Sequence, residues 1–265
     1  MDLFQAVVLA IVQGLTEFLP ISSSGHLVLA PVFLGWEDQG LAFDVAVHTG
    51  TLAAVVYYFR HELWYMTRDA LGNLRGGPRT RESDLAWFVV IGTVPAVLAG
   101  LAFAGQISTV MRSPLLIAYT MAGFGILLWV GDRFGRKTRE EAEITWRDAL
   151  IVGLAQAVAL IPGTSRSGIT ITAALFLGLK RQAAARFSFL LSIPIIIAAT
   201  CYELLKLMRE PEEADWLALG VGAVVAGFVA YLTIRGFIAL LGRMGLGPFV
   251  VYRLILAAVL FSVFS

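Results

Sequence analysis

Two serine-rich segments carry the side chains of this sequence that are best suited to chemistry. The first, residues 13–26, reads QGLTEFLPISSSGH, so that an amide, a carboxylate and an imidazole flank three serines. The second, residues 161–170, reads IPGTSRSGIT and places an arginine between two serines. Such groups together can bind an oxyanion and move protons. The candidate side chains are Gln13, Glu17, Ser22, Ser23, Ser24, His26, Ser165, Arg166, Ser167 and Thr170.

The charge of Arg166 requires a partner. Uncharged residues surround it for many positions on each side, and an unpaired guanidinium at membrane depth is costly. Glu17 is the expected counter-ion within the protein, and an anionic ligand is the alternative. A purely structural Glu17–Arg166 pair is the alternative. Charge neutralisation alone does not require the nearby hydroxyl and imidazole groups, and their presence favours a functional site.

The backbone of both turns is also suited to an anion. In each segment serines and glycines follow a proline and open a short apolar run. Free N–H groups and the positive end of a helix dipole favour phosphate. We expect the substrate-binding residues to be Gln13, Ser22, Ser24, Gly25, Gly163, Ser165, Ser167 and Gly168. An ordinary helix N-cap is the structural alternative for such serine-glycine pairs.

The composition indicates a membrane protein. Of 265 residues, 58% are apolar and 15% are charged, whereas soluble domains carry about 25% charge. The net charge of +1 gives no electrostatic support for a nucleic-acid partner. A single cysteine, Cys201, excludes an internal disulfide and a cysteine-based metal site.

The apolar runs predict how the chain crosses the bilayer, which takes about 20 helical residues. Six runs qualify: 43–59, 85–111, 113–131, 187–202, 216–234 and 249–264. Two pairs of short runs remain, 3–19 with 26–35 and 148–161 with 168–179. The second run of each pair is too short to cross. We therefore predict an all-α polytopic membrane protein, one domain over 1–265, with six transmembrane helices and two re-entrant helix-loop-helix pairs.

The two halves resemble each other. A shift of 143 places Gln13 on Gln156, Ser22 on Ser165 and Gly25 on Gly168. We therefore predict an internal repeat of 1–131 and 147–265, joined by a cytoplasmic segment 132–146. An odd number of crossings per half would invert one half relative to the other and bring both broken tips toward the midplane.

The distribution of basic residues predicts the orientation. Fifteen fall on one side of the six predicted spans, and three, Arg112, Lys206 and Arg209, fall on the other. By the positive-inside rule the basic side is cytoplasmic and both termini are external.

Other polar groups have structural interpretations. Arg253, about one turn inside its span, is expected to snorkel or to pair internally. Asp44 and His48 are interpreted as interfacial or packing groups, and residues 60–84 as a solvated linker.

Over essentially its full length, the sequence resembles the undecaprenyl-diphosphate phosphatase family, which is known for bacitracin resistance. The resemblance is carried by the segment from Gln13 to His26 and by a Pro-Gly-x-Ser-Arg-Ser-x-x-Thr motif from Pro162 to Thr170. It implies catalytic roles for Glu17, Ser23, His26, Ser165, Arg166 and Thr170. Many members carry glutamate at position 13, so that the Gln13 of this chain departs from the common pattern.

The resemblance also implies a reaction. It is hydrolysis of a C55 isoprenoid diphosphate to the monophosphate, which returns the lipid carrier to cell-wall synthesis in the bacterial inner membrane. A divalent cation, Mg²⁺ or Ca²⁺, is implied as cofactor, with Glu17 as its expected ligand. The implied partners are the polyprenyl diphosphate lipid and membrane lipids, while the oligomeric state, with a homodimer as one alternative, stays open.

Three questions stay open at the level of sequence. The attacking group is Ser23, His26 or a water molecule. A transporter of polyprenyl phosphate lipids would use the same midplane pocket. A different class of membrane lipid phosphatase shares short motifs with this chain but requires a second histidine downstream, and none follows Arg166.

Overall fold

The computed structural model describes residues 1–109, 113–209 and 215–264, with the backbone alone over 104–109. Eleven α-helices make up most of these ranges. They are α1 Leu3–Thr16, α2 Ser23–Leu34, α3 Gly40–Tyr58, α4 Arg60–Leu74, α5 Arg81–Thr109, α6 Pro114–Phe134, α7 Trp146–Val158, α8 Arg166–Phe176, α9 Arg181–Arg209, α10 Trp216–Met244 and α11 Gly247–Phe264. The prediction of an all-α protein is confirmed.

Six of these helices are long and apolar enough to cross a membrane: α3, α5, α6, α9, α10 and α11. Each coincides with one predicted span, so the six spans are confirmed by length and composition. Several helices extend further than predicted, as α10 does through Arg235 to Met244. A search for uncharged runs stops at the first charge, whereas a helix continues into the polar layer. The end of the predicted span 85–111 and Arg112 lie outside the described residues.

The interpretation of residues 60–84 as a solvated linker is wrong for its first half. Residues Arg60–Leu74 form α4, which packs against α5 and buries Met66. The segment is rich in charged side chains, which do not prevent a helix, and its irregular part begins near Gly76.

Four short helices surround the two serine-rich turns. Helices α1 and α2 have 14 and 12 residues, and α7 and α8 have 13 and 11. At about 1.5 Å per residue, none reaches across a hydrocarbon core of about 30 Å. The chain breaks between Thr16 and Ser23 and between Val158 and Arg166, as predicted. Their re-entrant placement in a membrane stays a prediction.

Each short leading helix packs against the other half of the chain. Helix α1 lies against α10, and α7 lies against α5. Small residues permit the close approach: a Cβ added at Gly153 would lie 2.5 Å from the Gly92 carbonyl oxygen. Close backbone contact of this kind is typical of membrane helices. The division into repeats 1–131 and 147–265 stays a prediction.

The connecting segment 132–146 is fastened by ion pairs. The Arg139 guanidinium donates to both carboxylate oxygens of Asp148, at 3.0 and 2.7 Å, and to the Leu177 carbonyl oxygen at 2.9 Å. Asp132 pairs with Arg181 at 2.5 Å. These contacts attach the segment to α7, α8 and α9.

Candidate active site

The two serine-rich turns meet at an ion pair. The Arg166 Nη2 donates to the Glu17 Oε1 at 2.9 Å. Glu17 caps the C-terminus of α1 and Arg166 opens α8. Both side chains are largely buried, with 7% and 14% of their surface exposed. The predicted counter-ion of Arg166 is therefore Glu17.

The second carboxylate oxygen of Glu17 gathers further donors. Its Oε2 accepts from the Ser23 hydroxyl at 2.6 Å and from the Gln13 Nε2 at 3.1 Å. The His48 Nε2 lies 3.8 Å away. A serine hydroxyl that donates to a carboxylate is arranged to lose its proton to that carboxylate, as in an activated nucleophile.

Both turns share an uncommon backbone conformation. Ser22 has φ 73° and Ser165 has φ 71°, in the left-handed region that serine seldom adopts. Each costs about 1–3 kcal/mol, and such strain clusters at functional sites. The two serines are the N-caps of α2 and α8. Both helices therefore begin at the two turns, with Ser23 and Arg166 as their first residues.

A cavity of about 220 Å³ opens at this junction. Its polar lining consists of Glu17, Ser22, Ser23, Ser24, His48, Gln156, Ser165, Arg166, Thr200 and Glu203. Its apolar lining consists of Ala96, Ala159, Leu160, Ile195, Ile196 and Ala199. A pocket with one guanidinium, several hydroxyl groups and an apolar wall fits an amphipathic ligand whose polar head accepts hydrogen bonds.

The predicted site residues fall into two groups. Glu17, Ser22, Ser23, Ser24, Ser165 and Arg166 line the cavity. The other predicted residues do not line the cavity but stabilise its two turns. The Ser167 hydroxyl donates to the Leu19 carbonyl oxygen at 2.9 Å, and the Gly168 N–H donates to the Ser165 hydroxyl at 3.2 Å. Gly163 has φ +85°, and a Cβ there would meet the Thr120 Oγ1 at 2.1 Å. Gly25 packs beneath Ser22.

His26 is engaged away from Ser23. Its Nδ1 lies 2.7 Å from the Ser22 carbonyl oxygen, which can only accept, so Nδ1 carries the proton. Its Nε2 then accepts from the Tyr252 hydroxyl at 2.6 Å. The two rings stack with centroids 5.6 Å apart. In this arrangement His26 holds the first turn in place.

Thr170 supports the backbone near Arg166. Its hydroxyl donates to the Arg166 carbonyl oxygen at 2.8 Å and lies 2.7 Å from the Ser188 hydroxyl. The Arg166 Nη1 donates to the Ser188 carbonyl oxygen at 3.3 Å. The position of the guanidinium thus depends on α9 as well as on Glu17.

Sequence reasoning missed four polar residues of the cavity: His48, Gln156, Thr200 and Glu203. His48 was interpreted as an interfacial or packing group, yet it faces Glu17. Gln156 carried a signal, since the repeat aligns it with Gln13. Glu203 lies just beyond the predicted span 187–202, and no motif marks it.

A cation at this junction would take its protein ligands from Glu17 and Gln13, and its presence stays a prediction. Among the described residues, no group of three histidine, cysteine or acidic side chains is arranged for a metal ion. The Gln13 Oε1 is buried and has no hydrogen-bond partner in the described part of the chain. One carboxylate and one free amide oxygen suit Mg²⁺, which proteins often bind with few ligands of their own together with phosphates and water.

Known proteins resemble this chain over its whole length. The family model described as bacitracin resistance protein BacA matches residues 6–259. Undecaprenyl-diphosphatase 2 of Stutzerimonas stutzeri is 58% identical, covering 100% of this chain and 99% of the relative. Undecaprenyl-diphosphatases of Thioalkalivibrio sulfidiphilus and Nitrosococcus oceani are 59% and 56% identical, each covering 100% of both chains. The chain belongs to the bacitracin resistance protein family whose relatives carry the name undecaprenyl-diphosphatase.

Proposed function

We propose that this chain hydrolyses undecaprenyl diphosphate to undecaprenyl phosphate and orthophosphate. The observation that carries the proposal is the contact of Ser23 with Glu17 beside Arg166 in one cavity. Full-length relatives at 56–59% identity bear the name of this activity. The reaction returns the lipid carrier to cell-wall synthesis, and this activity confers resistance to bacitracin.

The polar and the apolar parts of the cavity bind different parts of the substrate. Arg166 and the first-turn N–H groups of α2 and α8 bind the diphosphate, where charge develops in phosphoryl transfer. The isoprenoid tail leaves along the apolar wall that includes Leu160, Ile195 and Ile196. This wall buries the first units of the chain, and the remainder stays in lipid.

Ser23 is the nucleophile in this proposal. Its oxygen bonds to the terminal phosphorus as the bond from that phosphorus to the bridging oxygen breaks. The Ser23 proton passes to the Glu17 carboxylate, which it already contacts at 2.6 Å, and then to the leaving lipid monophosphate. Water next attacks the phosphoserine: its oxygen bonds to phosphorus, the bond to Ser23 breaks, and one water proton returns to Ser23 through Glu17.

His26 is less suited to attack than Ser23. Its Nδ1 donates to the Ser22 carbonyl oxygen and its Nε2 accepts from Tyr252. Both ring nitrogens would have to be released before the ring could reach a phosphate. We therefore assign His26 to the support of the turn rather than to proton transfer.

A divalent cation would be held by Glu17 together with the Gln13 Oε1 and the substrate phosphates. When bound, it would neutralise charge on the phosphate oxygens. With the cation bound, Arg166 would still orient the diphosphate and Glu17 would still accept the Ser23 proton.

The chain is a multi-pass membrane protein, and its six apolar helices lie in the bacterial inner membrane in this proposal. The basic residues between the spans favour a cytoplasmic location for segment 132–146 and external termini. The external origin of α1 and α2 favours access to the cavity from the outer face.

The proposal is tested by orthophosphate release from undecaprenyl diphosphate by the purified protein in detergent, with and without a metal chelator. We expect release that requires a divalent cation. If the protein moved the lipid between leaflets of a vesicle but released no orthophosphate, it would be a transporter and the proposal would fail.

A further inference from the structure

Arg253 is the largest fully buried side chain of the described residues, with 0% of its surface exposed. It lies in α11, which contributes no residue to the lining of the cavity. No carboxylate contacts its guanidinium among the contacts that the structure describes. The prediction that Arg253 pairs internally is confirmed, but its partners are backbone carbonyl oxygens and not a carboxylate.

The guanidinium joins both turns of the site. Its Nη1 donates to the Pro20 carbonyl oxygen at 3.2 Å and to the Thr164 carbonyl oxygen at 3.0 Å. Its Nη2 donates to the Gly163 carbonyl oxygen at 2.9 Å. Pro20 lies two residues before the strained Ser22, and Thr164 lies directly before the strained Ser165. One planar cation is therefore bonded to the backbone of both halves of the site.

Helix α6 fixes the guanidinium from the opposite side. The Arg253 Nε donates to the Met121 carbonyl oxygen at 3.1 Å, and Nη2 donates to the Thr120 carbonyl oxygen at 3.4 Å. Gly125 makes room for the side chain, since a Cβ there would lie 3.3 Å from the Arg253 Cβ and 3.4 Å from its Nε. The side chain is thus held along its length as well as at its tip.

The distance between the two turns matters for the chemistry. Ser23 belongs to one turn and Arg166 to the other, and both must reach one phosphoryl group. Within proteins, a misplacement of about 1 Å at a reacting group can cost on the order of 100-fold in rate. A rigid, five-donor fork is suited to fixing such a distance.

We infer that Arg253 is a positioning residue for the reaction: its guanidinium holds the two turns at the separation that brings Ser23 and Arg166 to the same phosphate. The inference rests on the proposed function and adds a residue outside the cavity to it. Arg253 acts through the backbone of the turns and does not touch the substrate.

A matched pair of glycine variants on α6 tests this without removing a charge. Gly125→Ala would press a methyl group against Arg253, whereas Gly123→Ala, two residues away, meets nothing within 4 Å. We expect Gly125→Ala to lower kcat several-fold, up to about tenfold, with a smaller change in KM. Gly123→Ala is expected to retain the kcat of the parent protein. Both variants should keep the parent melting temperature within a few degrees.

A second pair separates positioning from stability. Arg253→Lys keeps the charge but has three donors in place of five, and Arg139→Lys weakens a comparable arginine that bonds the Leu177 and Glu143 carbonyl oxygens outside the cavity. Both should lower the melting temperature. Measured well below that temperature, kcat is expected to fall at least about tenfold for Arg253→Lys alone.

The inference is overturned if Gly125→Ala retains the kcat of Gly123→Ala, or if the two lysine variants lose kcat equally. Activity of the parent protein is measured alongside. If the parent releases no orthophosphate from undecaprenyl diphosphate, the proposed function itself fails. If the parent is active and the variants do not differ, only the inference about Arg253 fails.

Discussion

Glu17 and Arg166 are 149 residues apart in the chain, and the Arg166 Nη2 contacts the Glu17 Oε1 at 2.9 Å. The other carboxylate oxygen of Glu17 accepts the Ser23 hydroxyl. The carboxylate is thus the counter-ion of the phosphate-binding arginine and the acceptor of the nucleophile's proton. This double contact gives one carboxylate two roles in the site.

Removal of either charge of this pair is expected to abolish most activity. Glu17→Gln removes the proton acceptor, a role worth about 100-fold to 10,000-fold in rate, and leaves the buried Arg166 without its counter-ion. Arg166→Lys keeps the charge but loses the planar fork that fits phosphate. Orthophosphate release should fall at least about 100-fold in both variants.

The control for these variants is Arg68→Ala, which removes an exposed arginine that pairs with Asp69 outside the cavity. It is expected to retain the rate of the parent protein. Near-normal release by Glu17→Gln would contradict the assignment of the proton acceptor.

The apolar wall should determine how well a long tail is accepted. Ala199 lines the cavity, and Ala199→Trp would fill the space assigned to the first isoprenoid units. We expect KM for undecaprenyl diphosphate to rise several-fold, while turnover of a short-chain isoprenyl diphosphate changes less. The comparison is Ile197→Trp, at an exposed position that does not line the cavity. Equal effects of both variants on both substrates would show that the tail leaves elsewhere.

The Arg139–Asp148 pair predicts a pH-dependent stability outside the six spans. Burial raises the pKa of Asp148, but hydrogen bonds from Arg139 and Thr145 outweigh it and hold the pKa below its ordinary value of 3.8. Because the pKa in the folded state is the lower one, the stabilisation is complete above the unfolded-state pKa and is lost as pH falls through the folded-state pKa.

Asp148→Asn is therefore expected to lower the melting temperature at neutral pH by about a few degrees. The difference from the parent protein should shrink as the pH drops below about 4. Glu140→Gln, in the exposed pair with Lys180, should have little effect at neutral pH. A difference for Asp148→Asn that stays constant down to strongly acidic pH would contradict this origin.

Much of the fold could be predicted because the bilayer imposes a simple rule on the sequence. Long apolar runs located six spanning helices, and the prolines and serines located the two breaks. The isolation of Arg166 in an apolar stretch required a counter-ion, and Glu17 supplies it. These inferences depend on the cost of charge in an apolar surrounding, which a sequence displays directly.

The parts of the site that could not be predicted depend on contacts between helices that are distant in the sequence. The contact of His26 with Tyr252 joins positions 226 apart, and the catalytic role of His26 stays a prediction. The approach of His48 to Glu17 follows from the packing of α3 beside the first turn. The helix α4 was missed because a charged segment was equated with an irregular one.

The central claim is tested most directly by orthophosphate release from undecaprenyl diphosphate by Ser23→Ala, compared with Ser262→Ala. Ser262 lies on α11 and donates to the Val259 carbonyl oxygen, outside the cavity. We predict that Ser23→Ala loses on the order of 1,000-fold or more in kcat, while Ser262→Ala releases orthophosphate at the rate of the parent protein. Release by Ser23→Ala at the parent rate would contradict the assignment of the reaction to Ser23, Glu17 and Arg166.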